Sequence, residues 1–365
     1  MMREINFTLP MKHLSIIIVV SEYLLNTGLI STSIYSVLMA ISILSLYMLF
    51  SKRRGGFSLK EFSILIFSCV FIVLNRDISN FSIGLAWILY FILKKAKISY
   101  FEILKTYAIT SSICFFITTA LFFLTGFNKE ANMIMWRNQG FVNRLSLGFV
   151  QPNIAMMSFF GLVIALVFLS KGSRRYIILI SIATTLVFHF TQSRTSGYLI
   201  FLLLLISFCL GKGIFRKSNK LEKMIIMAMP LILLALSYLL LKLPVNESLN
   251  SILSGRINLY KMIYAEFGIH LIGNSAAKDM MLDTGYLQAL IAKGIVFSLF
   301  LFASLFYIFW DSFKRNSRFD LLVIAMYFLI AFTETSFFRF TILFPVLVII
   351  MDQKNFNKVT GKIAE

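Results

Sequence analysis

The sequence predicts an all-α, polytopic integral membrane protein of about twelve transmembrane helices, and three observations predict it. First, 59% of the 365 residues are hydrophobic and 14% are charged, with a mean hydropathy of +0.85. Ordinary soluble domains do not carry that balance. Second, about twelve apolar runs can be read, most of them long enough to cross a bilayer core at ~1.5 Å per residue. Third, the cations gather in alternate loops, as they do when one face of a membrane protein is cytoplasmic.

The runs are 13–31, 33–50, 60–75, 78–93, 103–125, 147–169, 176–191, 196–210, 224–241, 286–310, 320–337 and 340–351. The third, fourth and last are short, as tilted or re-entrant segments are. Lys and Arg concentrate in 51–60, 94–102, 170–175, 211–223, 311–319 and the stretch after 351. If the runs alternate, all six segments share one side, which places both termini in the cytoplasm. The net charge of +19 then reflects topology, and nucleic acid is not an expected partner. Arg3 and Lys12 before an apolar run resemble a signal peptide. Without a small-residue cleavage site, and with Glu22 inside the run, we expect an uncleaved first span. Cys69, Cys114 and Cys209 fall within apolar runs and read as core residues, with no disulfide framework or metal spacing. The chain 1–365 reads as one polytopic domain.

Two outer segments stand apart, 126–146 and the large loop 242–285 between spans nine and ten. In the second, Ile257, Tyr260, Tyr264, Phe267 and Leu271 recur at spacings of three and four. That is the apolar stripe of an amphipathic helix, with Gly268 and Gly273 bracketing its end. The inner loops are short and basic. They hold no phosphate-binding loop, and the sequence has no HExxH or CxxC. No metal or cofactor is expected.

The informative polar residues lie in the outer segments. Arg144 opens RLSLGFVQPN, where Pro152 is expected to kink the sixth span and Gln151 and Asn153 flank it. TQSRTSG, 191–197, is a short turn that holds Arg194 near the membrane surface among the hydroxyls of Ser193, Thr195 and Ser196. Arg256 begins the amphipathic helix. Asp283 stands just before Tyr286 in LDTGYLQALIAKG, either capping that helix or doing chemistry. Glu334, with Arg339 beyond it, sits near hydrocarbon, where an acid is costly unless paired or functional. Snorkelling to headgroups competes as an account of the arginines, and a structural role competes for His270. An outward arginine runs against the usual retention of cations inside, which points to a fixed anion on that face.

These segments resemble the O-antigen polymerase and O-antigen ligase superfamily. The matches are RLSLGFVQPN, QSRTSG, SGR followed by LIGNS, and DTGYLQALIAKG, dispersed over roughly 144–294. The resemblance implies a bacterial plasma-membrane enzyme, acting at the outer leaflet on glycans carried by polyprenyl pyrophosphate. It implies essential outer-loop arginines, and flippase and chain-length regulator proteins as partners. Ligases of the superfamily carry a His near Asp283, so the Asp favours a polymerase. On this reading Arg144, Arg194 and Arg256 bind the pyrophosphate, and Asp283 is the first choice of base with Glu334 the second. Gln151, Asn153, Ser193, His270, Tyr286 and Arg339 line the sugar site. A lipid-linked oligosaccharide flippase is the rival from another class, since twelve spans suit it equally.

Overall fold

The structure, a computed structural model, describes residues 7–54, 59–75, 77–137, 140–245, 250, 255–274, 276–277, 280, 282–315 and 317–352. It is mostly helical, at 80%. The helices are α1 Thr8–Asn26, α2 Thr32–Arg54, α3 Leu59–Asn75, α4 Ser82–Lys95, α5 Tyr100–Thr125, α6 Pro152–Leu169 and α7 Arg174–Thr191. They continue as α8 Arg194–Leu210, α9 Lys220–Lys242, α10 Arg256–Phe267, α11 Ile295–Arg315, α12 Arg318–Thr333 and α13 Phe340–Met351. Each apolar run contains most or all of one helix, and α10 is the amphipathic helix of the large loop. Seven of them, α1, α2, α5, α6, α8, α9 and α11, are long and apolar enough to cross a membrane.

Local chemistry sets the helix limits. The Ser99 hydroxyl accepts from the Glu102 amide to open α5, and Gly126 at φ 79° closes it. Asn219 and Glu222 form a reciprocal capping box at α9. Helices α4, α6 and α13 are buried on nearly all sides. The outer helices expose apolar side chains such as Phe116, Val73 and Leu124, as befits a surface bathed in hydrocarbon. At Gly161 of α6 a Cβ would lie 2.1 Å from the Thr341 carbonyl oxygen, so α6 and α13 cross at backbone contact.

Hydrogen bonds sort the loops into two ends. At one, Val150 N donates to Asn26 O at 2.9 Å and Leu145 N to Phe190 O at 2.9 Å. There too Gly273 N donates to Asn75 Oδ1 at 3.2 Å and Gly285 N to Glu334 O at 3.3 Å. At the other end, Lys12 pairs with Glu102, Lys94 with Asp311, Lys95 with Glu61 and Arg318 with Glu222. The basic loops thus cluster apart from the loops that carry Arg144, Arg194, Arg256 and Glu334.

The structure corrects several expectations. The segment 126–146 folds as a 3-10 turn, Lys129–Ala131, and an antiparallel hairpin of β1 Met133–Arg137 and β2 Gly140–Arg144, so the chain is not purely helical. Pro152 is the first residue of α6 and starts that helix without kinking it. Span ten is broken: a short turn and π-helical stretch, 285–292, precede Lys293 and Gly294, and α11 begins only at Ile295. The expected span 320–337 ends as a helix at Thr333. Leu271 lies past Gly268 and is exposed, and the buried stripe of α10 is Ile257, Tyr260 and Ile263. Cys69 and Cys209 are exposed on the outer face of the bundle, and Cys114 is half-buried.

Candidate functional site

The hairpin delivers Arg144 to the turn between α7 and α8. Its side chain is buried, at 4% exposure. Nε donates to the Thr191 carbonyl at 3.0 Å, Nη2 donates to Asn153 Oδ1, and Nη1 meets Met135 Sδ at 3.2 Å. Arg144 therefore fastens β2, the 191–193 turn and the first turn of α6 together. Gln151, the N-cap residue of α6, is exposed and makes no side-chain cap bond.

Arg194 is the first residue of α8, on the far side of the same turn, where Gln192 adopts φ 48°. Its guanidinium makes no hydrogen bond or ion pair among the described residues, and it is half-exposed. The next residue reaches across: Thr195 Oγ1 donates to Glu334 Oε1 at 2.5 Å. Glu334 lies just beyond α12 and is 4% exposed. Arg256 Nε pairs with Asp283 Oδ2 at 2.9 Å, and its Nη1 donates weakly to Thr333 O at 3.4 Å. Arg144 holds the 191–193 turn, Thr195 beyond that turn reaches Glu334, and Arg256 bonds Asp283 and the neighbouring Thr333 carbonyl, so the three arginine segments meet around the end of α12.

Asp283 does not cap a helix. Thr284 holds the N-cap position, without a side-chain bond, and the Asp283 carboxylate is committed to Arg256. Tyr286 is fully buried among Phe302, Phe332 and Phe337, with ring centroids 5.0–6.2 Å apart, and not open to a sugar. His270 is exposed beyond α10, its Nε2 2.7 Å from Phe267 O, and the structure does not bring it to the carboxylates. Arg339 Nη1 donates to Asn26 Oδ1 at 2.6 Å.

Burial dominates the electrostatics. It pushes the Glu334 carboxyl up to about 7, against the opposing pull of the Thr195 hydroxyl and the Arg256 and Arg339 charges. The Asp283 carboxyl is also raised by burial, and Arg256 opposes the shift. On the segments that meet Glu334, the buried hydroxyls of Ser193, Ser196, Thr284 and Ser336 have no partner among the described residues. Buried polar groups are normally satisfied, so hydroxyls left unpaired on these segments are available to hydrogen-bonding groups. The hydroxyls of Ser193 and Ser196 are legible in the Arg194 turn of the sequence, whereas Thr284 and Ser336 are not singled out. The signal for Ser336 was the polar run Thr333-Glu334-Thr335-Ser336 interrupting hydrocarbon-length apolar sequence.

Comparison of the chain with family models, with curated proteins and with solved structures returns no match. The site therefore has to be read from its own chemistry.

A second polar group builds on Glu22 and Lys293, residues that interrupt apolar runs. Glu22 accepts from Tyr35 Oη at 3.1 Å and from Thr341 N and Oγ1 at 2.6 and 2.7 Å. Lys293 Nζ donates to Asn80 Oδ1 at 2.6 Å and Ser79 Oγ at 2.9 Å, with Asp77 3.6 Å away. These partners lie far apart in sequence, and only packing joins them.

Proposed function

We propose that the chain is a metal-independent membrane glycosyltransferase, a polysaccharide polymerase. It would transfer a polyprenyl-pyrophosphate-linked glycan onto a lipid-linked repeat unit at the outer leaflet of a bacterial plasma membrane. In this reading the chain crosses the membrane about twelve times, with both termini and the basic end in the cytoplasm. The observation that carries it is the meeting of Glu334, Thr195 and the Arg256–Asp283 pair with the Arg194 turn at the end remote from the basic loops. The resemblance of the same segments to the O-antigen polymerase and ligase superfamily supports it further.

The acceptor hydroxyl loses its proton to the Glu334 carboxylate as its oxygen bonds to the anomeric carbon of the donor. The bond from that carbon to the pyrophosphate oxygen breaks, and the electron pair leaves with the phosphate. Arg194 is the guanidinium with nitrogens to spare for that growing charge, held bidentately. Arg144 positions the turn that carries Arg194, because its own nitrogens are taken by Thr191 and Asn153. Asp283, the first choice of base from sequence, instead holds Arg256. Glu334, buried and titrating near neutrality, is the better proton acceptor.

The Arg194→Lys variant keeps the charge and loses the planar fork. It is expected to slow polymer formation by roughly 10²-fold, the scale of one lost transition-state donor. Chain-length distribution on a glycan gel reads this, and near-normal lengths remove the bidentate role. A transporter or flippase is the second reading, favoured by the broken helix at Lys293–Gly294 and the buried ion pair beside it. Deleting the gene and running the surface glycans separates the readings. Single repeat units indicate a polymerase, free lipid-linked polymer a ligase, and precursor trapped on the inner face a flippase.

A further inference from the structure

A cavity of about 330 Å³ opens between α1, α2, the 75–82 turn, the π-helical stretch and the 335–339 loop. Its volume falls at the lower end of the ~300–1,000 Å³ typical of small-molecule sites. We propose that this cavity is a second binding site, separate from the Arg194–Glu334 cluster, and that it takes a neutral, polyhydroxylated sugar ring.

The charges on its wall leave little for an ion to bind. Two acids, Glu22 and Asp77, face two bases, Lys293 and Arg339. Glu22 is satisfied by Tyr35 and Thr341, and Asp77 accepts from the Ser79 amide and hydroxyl at 2.9 and 2.7 Å. Lys293 is spent on Ser79 and Asn80. The formal charges of the wall cancel, and apart from the Arg339 guanidinium its charged groups already bond to neighbouring side chains or backbone, which leaves little net field to concentrate an ion.

Apart from the Arg339 Nε, what remains free is neutral. Thr32, Ser82, Gln288 and Thr335 line the same space, and their side chains make no hydrogen bond among the described residues. Hydroxyls and a carboxamide both donate and accept, which matches sugar hydroxyls, themselves donors and acceptors. Arg339 Nε is buried with no partner and supplies one further donor. Phe338 and Tyr35 add apolar wall for the ring's C–H surfaces.

Arg339 also fixes the relation between the two sites. It lines the cavity, and the loop that carries it, 334–339, begins at Glu334 beyond α12. The bound sugar's role as acceptor in glycosyl transfer rests on the polymerase reading, whereas sugar binding itself does not.

The test uses the full chain in lipid nanodiscs. The probe is the mixture of oligosaccharides released by mild acid from the host cell's lipid-linked glycans, with retention followed by native mass spectrometry. The wild-type chain is expected to retain a neutral oligosaccharide. Ser36→Phe, which fills the cavity from α2, should weaken retention at least tenfold. Gln288→Leu, which keeps the volume and removes the carboxamide, should do the same and covers the case in which Ser36→Phe does not fold. Lys217→Gln at the opposite end should change nothing. No retention by the wild-type chain, or equal retention by both cavity variants, overturns the proposal. Retention together with unchanged surface polymer in the deletion strain keeps the sugar site and removes the polymerase.

Discussion

Replacing Glu334 by Gln is expected to lower glycosyl transfer by about 10²–10⁴-fold, the usual contribution of a positioned proton acceptor. The isosteric amide can still accept from Thr195, so loss of the hydrogen bond seen at 2.5 Å does not account for the effect. A base must be deprotonated to act. Because burial pushes this carboxyl up to about 7, kcat/KM of the wild-type chain should rise with pH through neutrality and then level. The Gln variant should lose that rising limb. Thr195→Val removes an interaction that favours the charged form, so it should move the limb to higher pH. A pH–rate profile on purified chain in detergent measures both. A Gln variant with wild-type turnover, or a wild-type profile flat across neutral pH, would move the base elsewhere.

Lys293→Met is expected to be the most damaging single change to stability, by about 3–5 kcal/mol, the scale of breaking a buried pair by removing one partner. The side chains of Lys293 and Asp77 are only 6% and 7% exposed. Removing the ammonium leaves the Asp77 carboxylate without the Lys293 counter-charge, held by neutral donors such as the Ser79 amide and hydroxyl, and takes the Lys293 donor from the Asn80 Oδ1. The ammonium lies over the rings of Phe297 and Phe338, 5.1 and 4.7 Å from their centroids, so an apolar Met side chain has aromatic surface to pack on there. The added change Asp77→Asn should restore part of the loss, because the isolated charge is then gone. Thermal unfolding of the two variants in detergent compares them. Equal midpoints for single and double variants would show that the pairing contributes little.

Much of the helical framework was legible because apolar length and cation placement act locally along the chain. The twelve runs and the amphipathic α10 needed only periodicity and transfer energetics to be seen. The hairpin at 133–144 was also written in the sequence, as short β-prone stretches around Asn-Gln-Gly, but a membrane-dominated composition drew attention elsewhere. The apolar run begins at 147, ahead of the helix, so Pro152 reads as interior in the sequence although it is the first residue of α6. At the site, residue type alone singled out Arg194, Arg256, Asp283 and Glu334. It did not show that Asp283 would be tied to Arg256, leaving Glu334 the freer carboxyl. Nor did it show Lys293 meeting Asp77, because only the packing of helices distant in sequence brings those side chains together.

Helix α13 has 12 residues, every one of them buried, and it touches α1, α4, α5, α6, α11 and α12. At ~1.5 Å per residue it is about 18 Å long, too short to sit stably in lipid by itself. It nevertheless follows in the chain all the helices that enclose it. During synthesis those neighbours must therefore wait around an unfilled centre, with Gly161 and the Glu22 carboxylate still lacking their partner strip of backbone at Thr341. A chain truncated before residue 340 is expected to lack this central packing strip and to be cleaved faster by added protease than the full chain.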